Sequence, residues 1–153
     1  MKKIISKTLI SNAGFEAIVL RVPIGLILAA HGSQKLFAWF GGYGLEGTGQ
    51  WMASVGLNPG FLMALLAGSA EFFGGIALMI GLLTRPAAFV CSITLLVALF
   101  GVHWGNGFFL ASHGIEYALA LLSATVALLI MGGGQYSLDE YLIKTNLLGA
   151  KNE

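Results

Sequence analysis

The segment RVPIGLILAAHGSQK, from Arg21 to Lys35, constrains the whole chain: it is apolar enough to enter a bilayer yet carries Arg21, His31 and Lys35. A helix advances about 100° per residue, so positions 21, 25, 28, 32 and 35 fall on one narrow stripe reading Arg, Gly, Leu, Gly, Lys. His31 lies one turn before Lys35, on the flank of that stripe. Cations at membrane depth turn toward a bundle interior or water and seek counter-ions. Other helices must then supply carboxylates, and Glu71 and Glu116 answer that need.

Composition agrees. Only 10% of the 153 residues are charged and 57% are hydrophobic, where soluble domains carry about 25% charged residues. The chain reads as a small integral membrane protein with no room for a second soluble domain. A net charge of +1 argues against nucleic-acid binding, which usually needs a basic patch. The 22 glycines suit closely packed membrane helices, where small residues let backbones approach. Cys91 is the single cysteine. A self-contained dithiol site is therefore excluded, and Cys91 reads as a small core residue.

Four apolar spans are expected, at about residues 18–40, 60–83, 87–103 and 112–131, long enough for a hydrocarbon core of about 30 Å. Lys2, Lys3 and Lys7 ahead of an apolar run resemble a signal peptide. Glu16, Arg21 and Pro23 inside that run, with no small-residue cleavage site after it, argue for an uncleaved first span. Between spans, Thr48 is expected to cap a short helix over Gly49 to Leu57, with Trp51 and Met52 dipping into the headgroups. Thr84, Arg85 and Pro86 read as a tight turn. Ser137 and Glu140 form a Ser-x-x-Glu capping box, which predicts an interfacial helix over about 137–146. Lys2, Lys3, Lys7, Arg21, Arg85, Lys144 and Lys151 all fall on the side of the termini. The expected fold is thus an all-α membrane protein, a four-transmembrane-helix bundle with both termini cytoplasmic.

Counting 1.5 Å per residue from the cytoplasmic ends puts His31 about 15 Å deep and Lys35 and Glu71 about 21 Å deep. Glu116 falls at about 24 Å and His103 at about 27 Å, with His113 just beyond. Three helices therefore place ionisable groups in one outward layer, and that layer is the expected functional site. A bland alternative stays open: Lys35 with Glu71 or Glu116 is a structural ion pair, and His103 and His113 are interfacial residues. No His-x-x-His or Glu-x-x-His pair occurs on one helix, so no metal site is expected. Haem fits less well still, since only His31 lies near mid-depth.

Three stretches carry a family resemblance: RVPIGLILAAHGSQKL from Arg21, AEFFGGIALMIGLLTRPAA from Ala70, and HGIEYALALL from His113 leading to GGGQYSLD. With the loop GGYGLEGTGQW between them, the chain resembles the DoxX family of small four-span bacterial membrane proteins. The resemblance implies a multi-pass protein of the bacterial inner membrane and a redox association, some relatives being linked to a thiosulfate:quinone oxidoreductase and others to membrane redox partners or oxidative-stress assemblies.

The leading expectation is a subunit of a quinone-linked oxidoreductase that engages a membrane quinone or a small sulfur substrate at the outward cluster. Glu71, Glu116 and His31 would move protons. Lys35, His31, His103, His113, Trp104 and Phe72 would bind the ligand, with aromatic rings lining an apolar slot. Two rivals are a non-enzymatic anchor for a soluble enzyme and a small transporter, which would need a homo-oligomer to enclose a path.

Overall fold

The computed structural model describes residues 9–145. Lys2, Lys3, Lys7 and Lys151, on which the expected orientation partly rests, lie outside them, as does the end of the expected 137–146 helix. Every regular element among the described residues is helical. Helix α1 is Glu16–Phe37, α2 Gly44–Ser54, α3 Gly60–Ile80, α4 Thr84–Ala98, α5 Glu116–Met131 and α6 Leu138–Lys144. Helix α4 runs on through a π-turn, Leu99–His103, and a 3-10 turn, Trp104–Asn106. With that extension, α1, α3 and α4 are each long and apolar enough to cross a membrane. Helix α5 is apolar but has 16 residues, about 24 Å.

These four helices close a ring. Helix α1 packs most extensively on α3, α3 on α4, α4 on α5, and α5 meets α1 least. Leu28, Leu78, Ala88, Cys91, Leu95, Leu121 and Leu128 fill the centre. Close approach of α1 and α3 requires glycine. A Cβ added at Gly25 would lie 2.5 Å from the Gly75 carbonyl oxygen, and one at Gly75 would lie 2.5 Å from the Ala29 nitrogen. Gly32 and Gly68 continue the same backbone-to-backbone contact. This is small-residue packing of the kind expected from the stripe on α1.

One end of the ring is held by buried polar groups. Arg21 is 3% exposed, and among the described residues no carboxylate is in hydrogen-bond contact with it. It donates from Nε to the Gly133 carbonyl at 3.2 Å, from Nη1 to those of Leu78 (3.2 Å) and Met79, and from Nη2 to that of Tyr136 at 2.7 Å. The last carbonyls of a helix lack intrahelical donors and form the negative end of its dipole, so they satisfy a guanidinium. Arg85 acts likewise on α5: Nε reaches the Leu129 carbonyl at 3.2 Å and Nη2 that of Ile130 at 3.1 Å. Its Nη1 donates to the Ile10 carbonyl at 2.6 Å, tying the N-terminal segment to this end.

Several local expectations are corrected. Thr48 does not begin a helix; it lies inside α2, buried with Gly49 and Met52 against the start of α3, where a Cβ on Gly49 would meet the Phe61 Cα at 2.9 Å. Met52 therefore faces protein, while Trp51 stays exposed. Thr84, Arg85 and Pro86 are the first turn of α4 rather than a turn between helices. The reason is Asp139, 1% exposed: its carboxylate accepts from the Leu83 amide at 2.6 Å and the Thr84 amide at 2.9 Å. Helix α6 is thereby docked into the α3–α4 turn and not merely laid on a surface. Ser137 caps it, accepting from the Glu140 amide at 3.1 Å, while the Glu140 side chain turns to Lys144 at 3.3 Å.

The fourth apolar helix starts at Glu116 rather than near Ser112. Leu110–Ser112 is a separate 3-10 turn, and His113 adopts a left-handed φ of 59°. The amides of Ile115 and Glu116 bond back to the carbonyls of Gly107 and Phe108 at 3.0 and 2.9 Å, which delays the helix.

Two outcomes test this account. Gly75→Ala should cost about 1–3 kcal/mol through overpacking, whereas Gly105→Ala, with no atom within 4 Å of its Cβ, should leave thermal unfolding of the detergent-purified protein unchanged. Asp139→Ala leaves two buried amides without an acceptor and should cost about 1–3 kcal/mol. Limited proteolysis should then cut near residues 134–145 earlier than in the native chain.

Candidate functional site

At the opposite end of the α1–α3 contact, Lys35 Nζ meets Glu71 Oε2 at 2.5 Å. Glycine packing brings α1 and α3 close enough for this: Gly68, one turn before Glu71, sits against the Lys35 and Leu36 side chains. Glu71 is 6% exposed, and the Lys35 side chain is more open, at 22%. Nζ also donates to the His31 carbonyl at 3.5 Å. Of the two carboxylates open to Lys35 from the sequence, Glu71 takes it.

Residues next to the pair in sequence form an aromatic group. Phe37 and Phe72 ring centroids are 5.2 Å apart and edge-on, Phe37 and Trp39 are 5.0 Å apart, and Phe72 and Phe73 are 5.2 Å apart. Ala38, in a left-handed conformation at φ 58°, ends α1 and Trp39 lies back against Phe37 and Phe72. Phe37 and Trp39 were not singled out in the sequence, where Phe72, Phe73 and Trp104 suggested a slot. The signal that could have found them is their closeness to Lys35 just past the end of the span.

His31 projects from another face of α1. It is exposed, its ring edge-on to Tyr117 of α5 with centroids 6.2 Å apart. Tyr117 is a third residue that sequence reasoning missed.

The remaining predicted residues form a different group. His103 Nδ1 lies 2.7 Å from the His113 carbonyl oxygen, to which the Asn106 amide also donates at 3.3 Å. Glu116 Oε1 accepts from the Leu110 amide at 2.5 Å. Trp104 stacks with Phe100 at 5.0 Å, away from Phe72. His103, His113 and Glu116 therefore fasten the loop between α4 and α5, and the layer expected from depth counting splits in two. Equal depth on different helices does not bring side chains together when the ring separates them. No three His, Cys, Asp or Glu side chains among the described residues are grouped closely enough to hold a metal ion.

Known proteins add the family. The DoxX family model matches residues 17–104, more than half of the chain. The chain belongs to the DoxX family. It is 34% identical over 143 residues to the "Putative oxidoreductase CatD" of Bacillus subtilis, covering 92% of this chain and 96% of that relative. It is 38% identical over 103 residues to the "Inner membrane protein YqjF" of Escherichia coli, covering 66% of this chain and 76% of that protein. The "Inner membrane protein YphA" of Escherichia coli is 30% identical over 127 residues, covering 80% of this chain and 86% of the relative. No solved structure matches. Apolar helices and inner-membrane relatives together make this DoxX protein one of the bacterial inner membrane, in contact with lipid.

A double-mutant cycle tests the ion pair. Lys35→Met leaves a buried carboxylate unpaired and should destabilise by about 3 kcal/mol. Lys35→Met combined with Glu71→Leu should recover most of that loss, giving a coupling of about 1–3 kcal/mol in thermal or denaturant unfolding.

Proposed function

We propose that this DoxX protein is a membrane subunit of a quinone-linked redox system, with Lys35, Glu71 and His31 at its ligand site. The observation that carries the reading is the 2.5 Å Lys35–Glu71 pair together with the Phe37, Trp39 and Phe72 rings. An ammonium supplies donors to a carbonyl oxygen, a carboxylate can take or give a proton, and aromatic faces accept a flat ring. That set suits a membrane quinone, a planar acceptor with an apolar tail that lipid can hold. When bound, the quinone would accept an electron pair and two protons, the electrons arriving from a soluble redox partner. Because Glu71 offsets the charge of Lys35, a neutral carbonyl compound suits the site better than a thiosulfate-type anion.

His31 and Glu71 are assigned to proton delivery, and Lys35 and Phe72 to binding. Glu116, His103, His113 and Trp104 act through the loop that borders the site. We assign the arginine end, with Arg21 and Arg85, to the cytoplasm, following the bias of basic residues toward that side. The ligand site then lies in the outward half of the membrane. Support for a redox role comes also from the name of the relative "Putative oxidoreductase CatD".

Lipid extracts of gently purified protein should contain quinone near one per chain by mass spectrometry. A folded Lys35→Ala/Glu71→Gln variant should lose it. Quinone retained by that variant, or absent from the native protein, would falsify the reading.

A further inference from the structure

The seam between α1 and α5 has a construction of its own. Successive turns of α1 carry Leu20, Ile24, Ile27 and His31 on one face, at helical spacing. The first three pack against the central core. Helix α5 carries Tyr117, Leu121, Ala124 and Leu128 at the same spacing, with Leu121 and Leu128 in that core. Both rows are apolar until their outward ends, where His31 and Tyr117 face each other across the seam at 6.2 Å.

Two features set this spot apart. It lies where adjoining helices of the ring meet least, so the ring is most easily entered there. It also exposes a polar histidine about 9 Å inward from the Phe37 end of α1, a depth at which lipid offers no hydrogen bonds. Polar side chains at membrane depth normally face an interior, a partner group or a ligand. His31 is exposed and Tyr117 is 37% exposed. Lys35 lies one turn farther outward on α1, its ammonium on the His31 carbonyl and on Glu71.

We propose that the α1–α5 seam is the lateral entrance from the lipid to the ligand site, and that His31 and Tyr117 are its two recognition residues. The occupant is a planar carbonyl-bearing ring dissolved in the membrane, and the proposal rests on the quinone reading above. Tyr117 donates its hydroxyl to a ring oxygen, and an imidazole N–H of His31 donates beside it. Lys35 then takes the same ring farther along α1. A tail of isoprene type then stays in the surrounding lipid, because Leu121 and Leu128 below the pair are buried in the core. Neither Tyr117 nor this seam follows from the pairing of Lys35 with Glu71, which faces α3.

The test uses the full chain in lipid nanodiscs with an azido-substituted short-chain ubiquinone, photolysed and mapped by peptide mass spectrometry. Labels should fall within residues 24–35 of α1 and 117–124 of α5. Tyr117→Phe and His31→Gln should each lower that labelling at least threefold, while both variants keep native thermal unfolding. Labelling confined to the outer faces of α3 and α4 would overturn the entrance and leave the quinone reading standing. An absence of specific labelling, unaffected by excess unlabelled ubiquinone, would overturn both. A photoreactive residue placed at the exposed position 120 distinguishes one other occupant. Chain-to-chain cross-links from it would show the seam covered by a second copy, and the proposal would fall.

Discussion

The fold depends on one contact, the meeting of α1 and α3 backbone to backbone along Gly25, Gly32, Gly68 and Gly75. Without hydrophobic drive between helices in lipid, van der Waals fit and polar contacts have to hold such a pair. The stripe on α1 provides both. Its glycines supply the fit, and its two end residues supply the polar contacts, Arg21 on the α3 carbonyls of Leu78 and Met79 and Lys35 on Glu71. The fourteen residue steps from Arg21 to Lys35 span about 21 Å of helix, most of a hydrocarbon core. Sliding α1 along α3 by one turn would break both clamps and drive side chains into backbone, so the register is fixed at three points.

The two ends of this contact differ in what they leave over. At the arginine end the polar side chains are taken up by backbone groups. Arg21, Arg85, Asp139 and Ser137 gather carbonyls and amides from α3, α4, α5, the residue 132–136 loop and the N-terminal segment. These contacts define helix ends and dock α6. At the lysine end Lys35 keeps part of its ammonium stem open, His31 is exposed, and exposed aromatic rings stand around them. Chemistry needs donors that a ligand can reach, so the reading of function attaches to this end.

The sequence made the α1 stripe legible because helical spacing alone puts residues 21, 25, 28, 32 and 35 in line, whatever the partner helix is. The identity of that partner was not legible. Arg21 was expected to seek a carboxylate, and it found helix-end carbonyls, because spacing arguments count side chains and overlook the four unsatisfied carbonyls that end every helix. Asp139 was missed for the same reason: a short tail with an N-terminal cap signal reads as an interfacial helix, and nothing local reveals that its carboxylate will bind the amides of Leu83 and Thr84. Depth counting placed Glu116 level with Glu71, yet depth is one coordinate of three. The order of helices around the ring gives the second coordinate, and no residue pattern in this chain specifies it.

That ring order also explains why α1 and α5 meet least. Helix α1 has one glycine face, and it is turned to α3. Toward α5 it presents Leu20, Ile24 and Ile27, whose branched side chains keep the helix axes apart, as ridges of larger residues do. Helix α5 begins late, at Glu116, because Gly107, Phe108 and His113 hold the preceding loop in a folded turn. Its outward end is therefore short just where α1 carries His31. Tight packing on one side of α1 and a shortened neighbour on the other leave the polar end of the seam facing lipid. The glycines that seat Lys35 on Glu71 thus also determine, by using up the close-packing face of α1, the side from which a lipid-borne ligand can reach them.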